Sequence, residues 1–196
     1  MFEDELTSRT SMQSDTQQIA LGLRKGDLAV IEALVEQYQY RLVRYLIYLL
    51  GRRDGVDDLV QETWLRVLER GSSYDGQSRF EPWLFRVARN IALDAMRKRQ
   101  NLSLDSDDED GRLPPSPASS APSPFTLAAR TEEADRLAHS LQMLDPVHRE
   151  ALVLRFQEDL SLQEISAIVG APVSTVASRI YRGLATLRPQ FEGETA

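Results

Sequence analysis

The sequence predicts an all-α protein of two small helical domains joined by a flexible acidic, Pro/Ser-rich linker, the C-terminal domain being a helix-turn-helix. Three observations predict it. Apolar residues recur at three- and four-residue intervals on both sides of the chain's middle, no run alternates with period two, and the middle itself holds few large apolar side chains. At 196 residues and 42% apolar content, the chain has room for one ordinary domain or two small ones with cores of their own.

The first domain is expected over 15–100, after a disordered N-terminus at 1–14. Leu28, Ile31, Val35, Tyr38, Leu42, Tyr45 and Leu49 lie on one stripe of a long helix opening near Asp27, with Gly51 and Gly55 flanking its end. A second helix should open at Asp57 and read DDLVQETWLRVLER. It buries Leu59, Val60, Thr63, Val67 and Leu68 and turns Asp58, Gln61, Glu62 and Arg66 elsewhere. The Gly/Ser-rich GSSYDGQS breaks the chain. A third helix, FEPWLFRVARNIALDAMRKRQ, carries Pro82 in its first turn and sets Trp83, Val87, Ile91 and Ala95 four residues apart.

The linker, 101–128, includes the acidic run Asp107 to Asp110 and five of the nine prolines. Such a composition cannot bury enough to fold. It also accounts for most of the net charge of −7: residues 1–100 balance at 15 basic and 15 acidic side chains, 101–135 carry 2 and 8, and 136–196 carry 6 and 7. The flanking domains therefore remain able to present local basic faces.

The second domain, 129–190, precedes a short tail at 191–196. It begins with a helix from about Thr131 to Leu141, and Asp145-Pro146 starts the next, a capping side chain followed by a proline whose missing N–H costs nothing there. Ser161-Leu162-Gln163-Glu164 is a capping box opening a short helix with Leu162, Ile165, Ile168 and Val169 on its apolar face. Gly170-Ala171-Pro172 ends it, and STVASRIYRGLATLR follows, burying Val176, Ile180 and Leu184.

Several functions are excluded on this reading. With no cysteine, disulfides and thiolate metal sites are out, and His139 and His148, nine residues apart, fall on opposite helix faces, so no metal or other cofactor is expected. The dense carboxylates sit in a linker that cannot hold a geometry, and Gly22 and Gly26 lack the ending of a phosphate loop, so no catalytic residues are expected. No apolar run is long enough to span a membrane and the acidic N-terminus is unlike a signal peptide, so the protein is expected in the cytoplasm without membrane insertion.

Two basic faces remain. A capped short helix, a glycine turn and a second helix with Arg179, Arg182 and Arg188 and no acid among them describe a reader of the major groove, the alternative being a solvated bundle face. On the third helix, Arg86, Arg89, Arg97, Lys98 and Arg99 face only Glu81 and Asp94, with Asn90 among them. Trp83 and Phe85 read as core, whereas Tyr74 and Phe80, at the turn, read as aromatic surfaces for unstacked bases.

Four blocks, DDLVQETWLRV, FEPWLFRVARNIALDAMRKR, LDPVHREALVLRF and LSLQEISAIVGAPVSTVASRIYRGLATLR, in this order and spacing, resemble the extracytoplasmic-function (group 4) sigma factors of the sigma-70 family. The resemblance implies a protein that binds core RNA polymerase and directs it to promoters. It implies a docking surface for the β′ clamp helices at Asp58, Leu59, Gln61, Glu62 and Trp64, and contact with the β flap. It implies −10 recognition and melting by Tyr74, Ser78, Arg79, Phe80, Arg86, Arg89, Asn90, Arg97 and Lys98, with a flipped base read on its Watson–Crick edge. It implies −35 recognition by Ser174, Thr175, Ser178, Arg179, Tyr181 and Arg182, and silencing by an anti-sigma factor that could hold the protein at the inner membrane. Two departures stand out: Ser174 occupies the family's usual glycine and Ala177 a usual basic position, so the −35 preference should differ or weaken. The linker's acidic run could imitate nucleic acid or merely solubilise. The rival reading is a helix-turn-helix regulator that binds operator DNA without polymerase and dimerises through the Leu28–Leu49 stripe.

Overall fold

The polar stretch before Leu28 is itself helical. In a computed structural model that describes residues 15–104 and 132–191, a helix α1 spans 15–25, a segment the sequence reading left unassigned. Thr16, Ala20 and Leu23, one turn apart, face the core, and the Thr16 hydroxyl donates to the carbonyl of Gly76 at 2.9 Å. Asp27 then caps α2 (Leu28–Leu50), its carboxylate accepting from the Ala29 amide, and Gly51 ends α2 in the left-handed region. α3 is Val56–Arg70, followed by a single 3₁₀ turn, and α4 runs Phe80–Leu104, four residues into the expected linker. The other expectations for 101–128 fall mostly outside the described residues, as do those for 1–14 and most of the tail.

In the second half, α5 is Glu132–Gln142 and α6 is Pro146–Leu152, capped by Asp145 and prolonged by a wide π-type turn over Val153–Gln157. α7 (Leu162–Val169) carries the complete capping box of Ser161 and Glu164, and α8 is Val173–Phe191. Every described element is helical, as expected.

The buried faces correct the sequence reading in four places. On α2, Leu28 is exposed and Leu34 and Leu46 are buried with Ile31, Tyr38, Leu42, Tyr45 and Leu49. That stripe is covered by α3 and α4, so it offers no dimer seam. On α3, Leu68 points outward and Val56 inward. The inner face of α4 is Phe80, Leu84, Phe85, Ala88 and Ala92, and Trp83, Val87, Ile91 and Ala95 lie at its margin. On α8, Val176 and Ile180 are buried as expected, but Leu187 replaces the exposed Leu184.

One glycine fixes the loop before α4. Gly76 has φ +73°, and a Cβ there would lie 2.9 Å from the Ala20 Cβ and 3.0 Å from the Thr16 carbonyl oxygen. Gly76→Ala should lose about 2–4 kcal/mol of stability, combining left-handed strain with overpacking against α1, read as a lowered urea midpoint with unchanged slope.

The halves, treated by the sequence reading as separately folded units, lie against each other here. α4 packs on α7, and α2 packs on α6 and its π-type turn.

Candidate nucleic-acid and polymerase interfaces

Three surfaces carry the residues singled out by the sequence. On α3 the core side is Val56, Val60, Thr63 and Val67, so at 100° per residue the opposite side centres on Asp58, Gln61 and Leu65. Asp58 and Gln61 are exposed, while Leu59 and Trp64 are half-buried at the margins of the core face. The Trp64 indole N–H is buried with no acceptor among the described residues. Glu62 accepts from Arg66 at 2.8 Å, one turn on. Leu65 and Leu68, 55% and 48% exposed, complete this outer face. Sequence reasoning missed Leu65 and placed Leu68 inside; two leucines beside Gln61 on a polar helix face were the available signal.

The second surface is the outer side of α4. Arg86, Asn90 and Arg97 share one exposed stripe, with Lys98 further along. Arg97 pairs with Asp94 at 3.0 Å. Ser78 is exposed, its carbonyl accepting from the Tyr74 hydroxyl. Tyr74 and Phe80 themselves are each 1% exposed, which corrects their placement as open stacking surfaces. The reason is mutual packing: Phe80 lies 5.5 Å from Tyr38, 5.3 Å from Tyr74 and 5.6 Å from Trp83, in tilted and edge-on arrangements. Burial, with the Glu81 carboxylate adding to it, pushes the Tyr74 phenol up to about 12, so it remains a neutral donor.

Arg79 and Arg89 are not free. Arg89 donates to Glu150 through Nε at 2.8 Å, and the Tyr45 hydroxyl donates to the same carboxylate at 2.9 Å. Desolvation by burial pulls the Arg89 pKa down, but the hydrogen bond to Glu150 and the attraction of its charge together outweigh that and raise it above its ordinary value. Arg79 donates to the Asp159 carbonyl at 3.3 Å and pairs with Glu81 and, at 3.9 Å, with Glu164. Two members of the expected −10 set therefore touch the second half of the chain.

The third surface is α8. Gly170, with φ +66°, closes α7 and lets the chain turn through Ala171 and Pro172 into α8. With Val176, Ile180 and Leu187 turned in, Ser174, Ser178, Tyr181 and Arg182 project from the exposed side, Tyr181 at 74%. Thr175 and Arg179 are half-buried at the edge of that stripe. A capped helix, a tight turn and a second helix with a polar, basic outer face make a unit that can enter a major groove.

Comparison with known proteins agrees with this geometry. Residues 34–102 match the family model for sigma-70 region 2, and residues 134–187 match that for sigma-70 region 4. The chain is 35% identical over 167 residues to the ECF RNA polymerase sigma factor SigE of Mycolicibacterium smegmatis, covering 83% of this chain and 63% of that protein. It is 33% identical over 165 residues to the RNA polymerase sigma factor CarQ of Myxococcus xanthus, covering 84% of this chain and 91% of that one. Among solved structures it is similar to the sigma factor RpoE from Bartonella quintana, in a co-crystal with the anti-sigma factor NepR. There the TM-score is 0.65 at 25% identity, covering 83% of this chain and 97% of that one.

Proposed function

The chain belongs to the sigma-70 family, as an RNA polymerase sigma factor of the extracytoplasmic-function type, and from that premise we propose how its three surfaces divide the work. The outer face of α3, with Asp58, Gln61, Glu62, Leu65 and Leu68, docks on the β′ clamp helices of core polymerase, while Leu59 and Trp64 brace that face from its core side. Arg86, Asn90, Arg97 and Lys98 on α4, with Arg79 and Arg89 once released, hold the melted −10 strand. The α8 stripe of Ser174, Ser178, Tyr181 and Arg182, with Thr175 and Arg179 at its edge, reads the −35 element from the major groove.

The observation that carries this reading is the α7–turn–α8 unit, which turns Ile165, Ile168, Val176, Ile180 and Leu187 inward and presents Ser174, Ser178, Tyr181 and Arg182 on its outward stripe. The working place is the cytoplasm, beside polymerase and DNA; no described helix is long and apolar enough to cross a membrane. The second half meets the β flap, no chemistry is assigned to any residue, and an anti-sigma factor wedged between the halves, covering the docking helix α3 and the reading helix α8, silences the protein. Tyr74 and Phe80 act from within their aromatic cluster, fixing the Ser78–Arg79 turn.

The test is run-off transcription by purified core polymerase, with and without the full chain, on sheared genomic DNA from the source cell, with mapping of new 5′ ends. Discrete starts that require the protein are expected, and they define the promoter. Tight binding to a specific duplex by the protein alone, without any protein-dependent start, would replace this reading with that of an operator-binding regulator.

A further inference from the structure

Two carboxylates, Glu150 on α6 and Glu158 just past its π-type turn, are buried where exposed charges would be ordinary. Glu158 is 1% exposed and Glu150 3% exposed. Each is met by cations from the other half of the chain. Arg41 donates to Glu158 through Nε at 2.7 Å and Arg44 through Nη2 at 3.0 Å, while Arg89 and the Tyr45 hydroxyl donate to Glu150. These contacts run one way, with the donor on α2 or α4 and the acceptor on the second half. Arg79 extends the row toward Asp159 and Glu164. Arg149 adds the complementary charge: a Cβ on Gly51 would lie 3.5 Å from its guanidinium, at the negative end of α2.

Guanidinium forks that receive a carboxylate's two oxygens present the geometry that also receives phosphate. Arg89 belongs to the stretch assigned to the −10 strand; Arg41 and Arg44 have no assigned role. Arg41 stands beside α4, its guanidinium 5.7 Å from the Phe85 ring, and Arg44 shares the Glu158 carboxylate with it. We propose that Arg41 and Arg44 of α2 extend the α4 surface into a binding site for single-stranded DNA phosphates, which Glu158 and Glu150 of the second half occupy until the halves separate. The chain thus carries its own competitor. Glu158 takes the place of a phosphate shared by Arg41 and Arg44, and Glu150 takes that of one bound by Arg89.

The energetics fit a reversible contact. A buried ion pair recovers little more than its desolvation cost, so exchanging carboxylate for phosphate, with polymerase holding the halves apart, meets only a modest barrier. The released arginines also gain from displacing counterions from the strand. This inference rests on the sigma-factor reading and deepens it.

The experiment uses the full chain, which has no cysteine of its own. Dyes are placed on Glu36→Cys and Ala185→Cys, both exposed and outside every proposed contact. Energy transfer between them reports separation of the halves, and anisotropy of a fluorescein-labelled mixed-sequence single strand of about 25 nucleotides reports binding. In E150Q/E158Q, transfer should fall and the strand should bind about tenfold or more tighter. Adding R41Q and R44Q should remove most of that gain and reduce the salt slope by about 1.4, the value for two single-strand phosphate contacts. A strand affinity that stays at the wild-type value, or a gain that survives R41Q/R44Q, would overturn the proposal. Should E150Q/E158Q lose its helical circular dichroism, E158Q alone carries the test, with a smaller gain of the same sign expected and none overturning it. Run-off starts with the unmodified chain are read separately: starts present beside an overturning result sink this inference alone, and starts absent sink the reading beneath it.

Discussion

Run-off transcription at limiting protein should fall by about two to three orders of magnitude when Gln61 and Leu65 are both changed to alanine. The two side chains share the outer face of α3, and Leu65 is 55% exposed. An apolar side chain ringed by Asp58, Gln61, Glu62 and Leu68 is the arrangement expected of an interface anchor, in which a few residues carry most of the binding energy. If each loses about 1.5–2 kcal/mol on truncation, the pair loses about 3–4 kcal/mol, or two to three factors of ten. Neither supports the core of its own domain, so unfolding should move by no more than about 0.5 kcal/mol. That separation matters, because lost transcription with intact folding can come only from an intermolecular contact. Titration of labelled chain against core polymerase should show the same loss in affinity. Full run-off activity in the variant would remove the outer face of α3 from the docking surface.

The sequence announced α2, α3, α7 and α8 through local signals that survive folding. Asp145 and the Ser161–Glu164 pair cap as read, and Asp27, read as the start of α2, caps it, because a cap depends on residues within one turn of itself. What it misjudged depends on distant packing. Trp83, Val87, Ile91 and Ala95 are a spacing-of-four series, which drifts by 40° per step around a 100° helix, and hydropathy ranks Trp83 above Ala88. The structure instead buries Ala88 and Ala92 to 0%, because α4 has neighbours on α2, α3 and α7 and small residues allow the close approach. Tyr74 and Phe80 were assigned to an open surface because a turn precedes α4. Their partners Tyr38 and Trp83 come from α2 and α4, and only the assembled bundle brings them together. Helix α1 was left unassigned; Gly22 weakens its local preference, and the burial of Ala20 and Leu23 in the assembled core overrides that.

The pairing of the halves is the extreme case. Arg41 and Glu158 are separated by 117 residues, and Arg89 and Glu150 by 61. No periodicity spans such an interval. In the sequence Glu150 and Glu158 resemble any solvated helix charges, and only their burial marks them. Their position also explains why two arginines of the expected −10 set are covered: Arg79 and Arg89 meet the second half, while Arg86, Asn90 and Arg97 remain exposed. The α8 stripe proposed to read DNA is not covered in the same closed arrangement, since Ser178, Tyr181 and Arg182 are exposed.

Changing Ser178 and Arg182 to alanine should lower holoenzyme affinity for its own promoter by about 10- to 100-fold, an effect that depends on what the −35 element contains. A well-placed arginine on a guanine edge discriminates by about 1–3 kcal/mol, and a serine in reach of a base edge adds to that. The decisive measurement is a cycle: wild type and variant, each on the mapped promoter and on one with its −35 element scrambled. If Arg182 reads bases, scrambling should weaken the wild type strongly and the variant hardly at all. If it only touches phosphate, the variant should lose affinity on both promoters equally and its salt slope should drop by about 0.9. Ala177 carries no charge, so Arg179, half-buried at the edge of the stripe, is the other cation near these residues, and it is left in place in both arms of the cycle. A variant that keeps both the wild-type affinity and the wild-type discrimination would mean that this stripe does not face DNA.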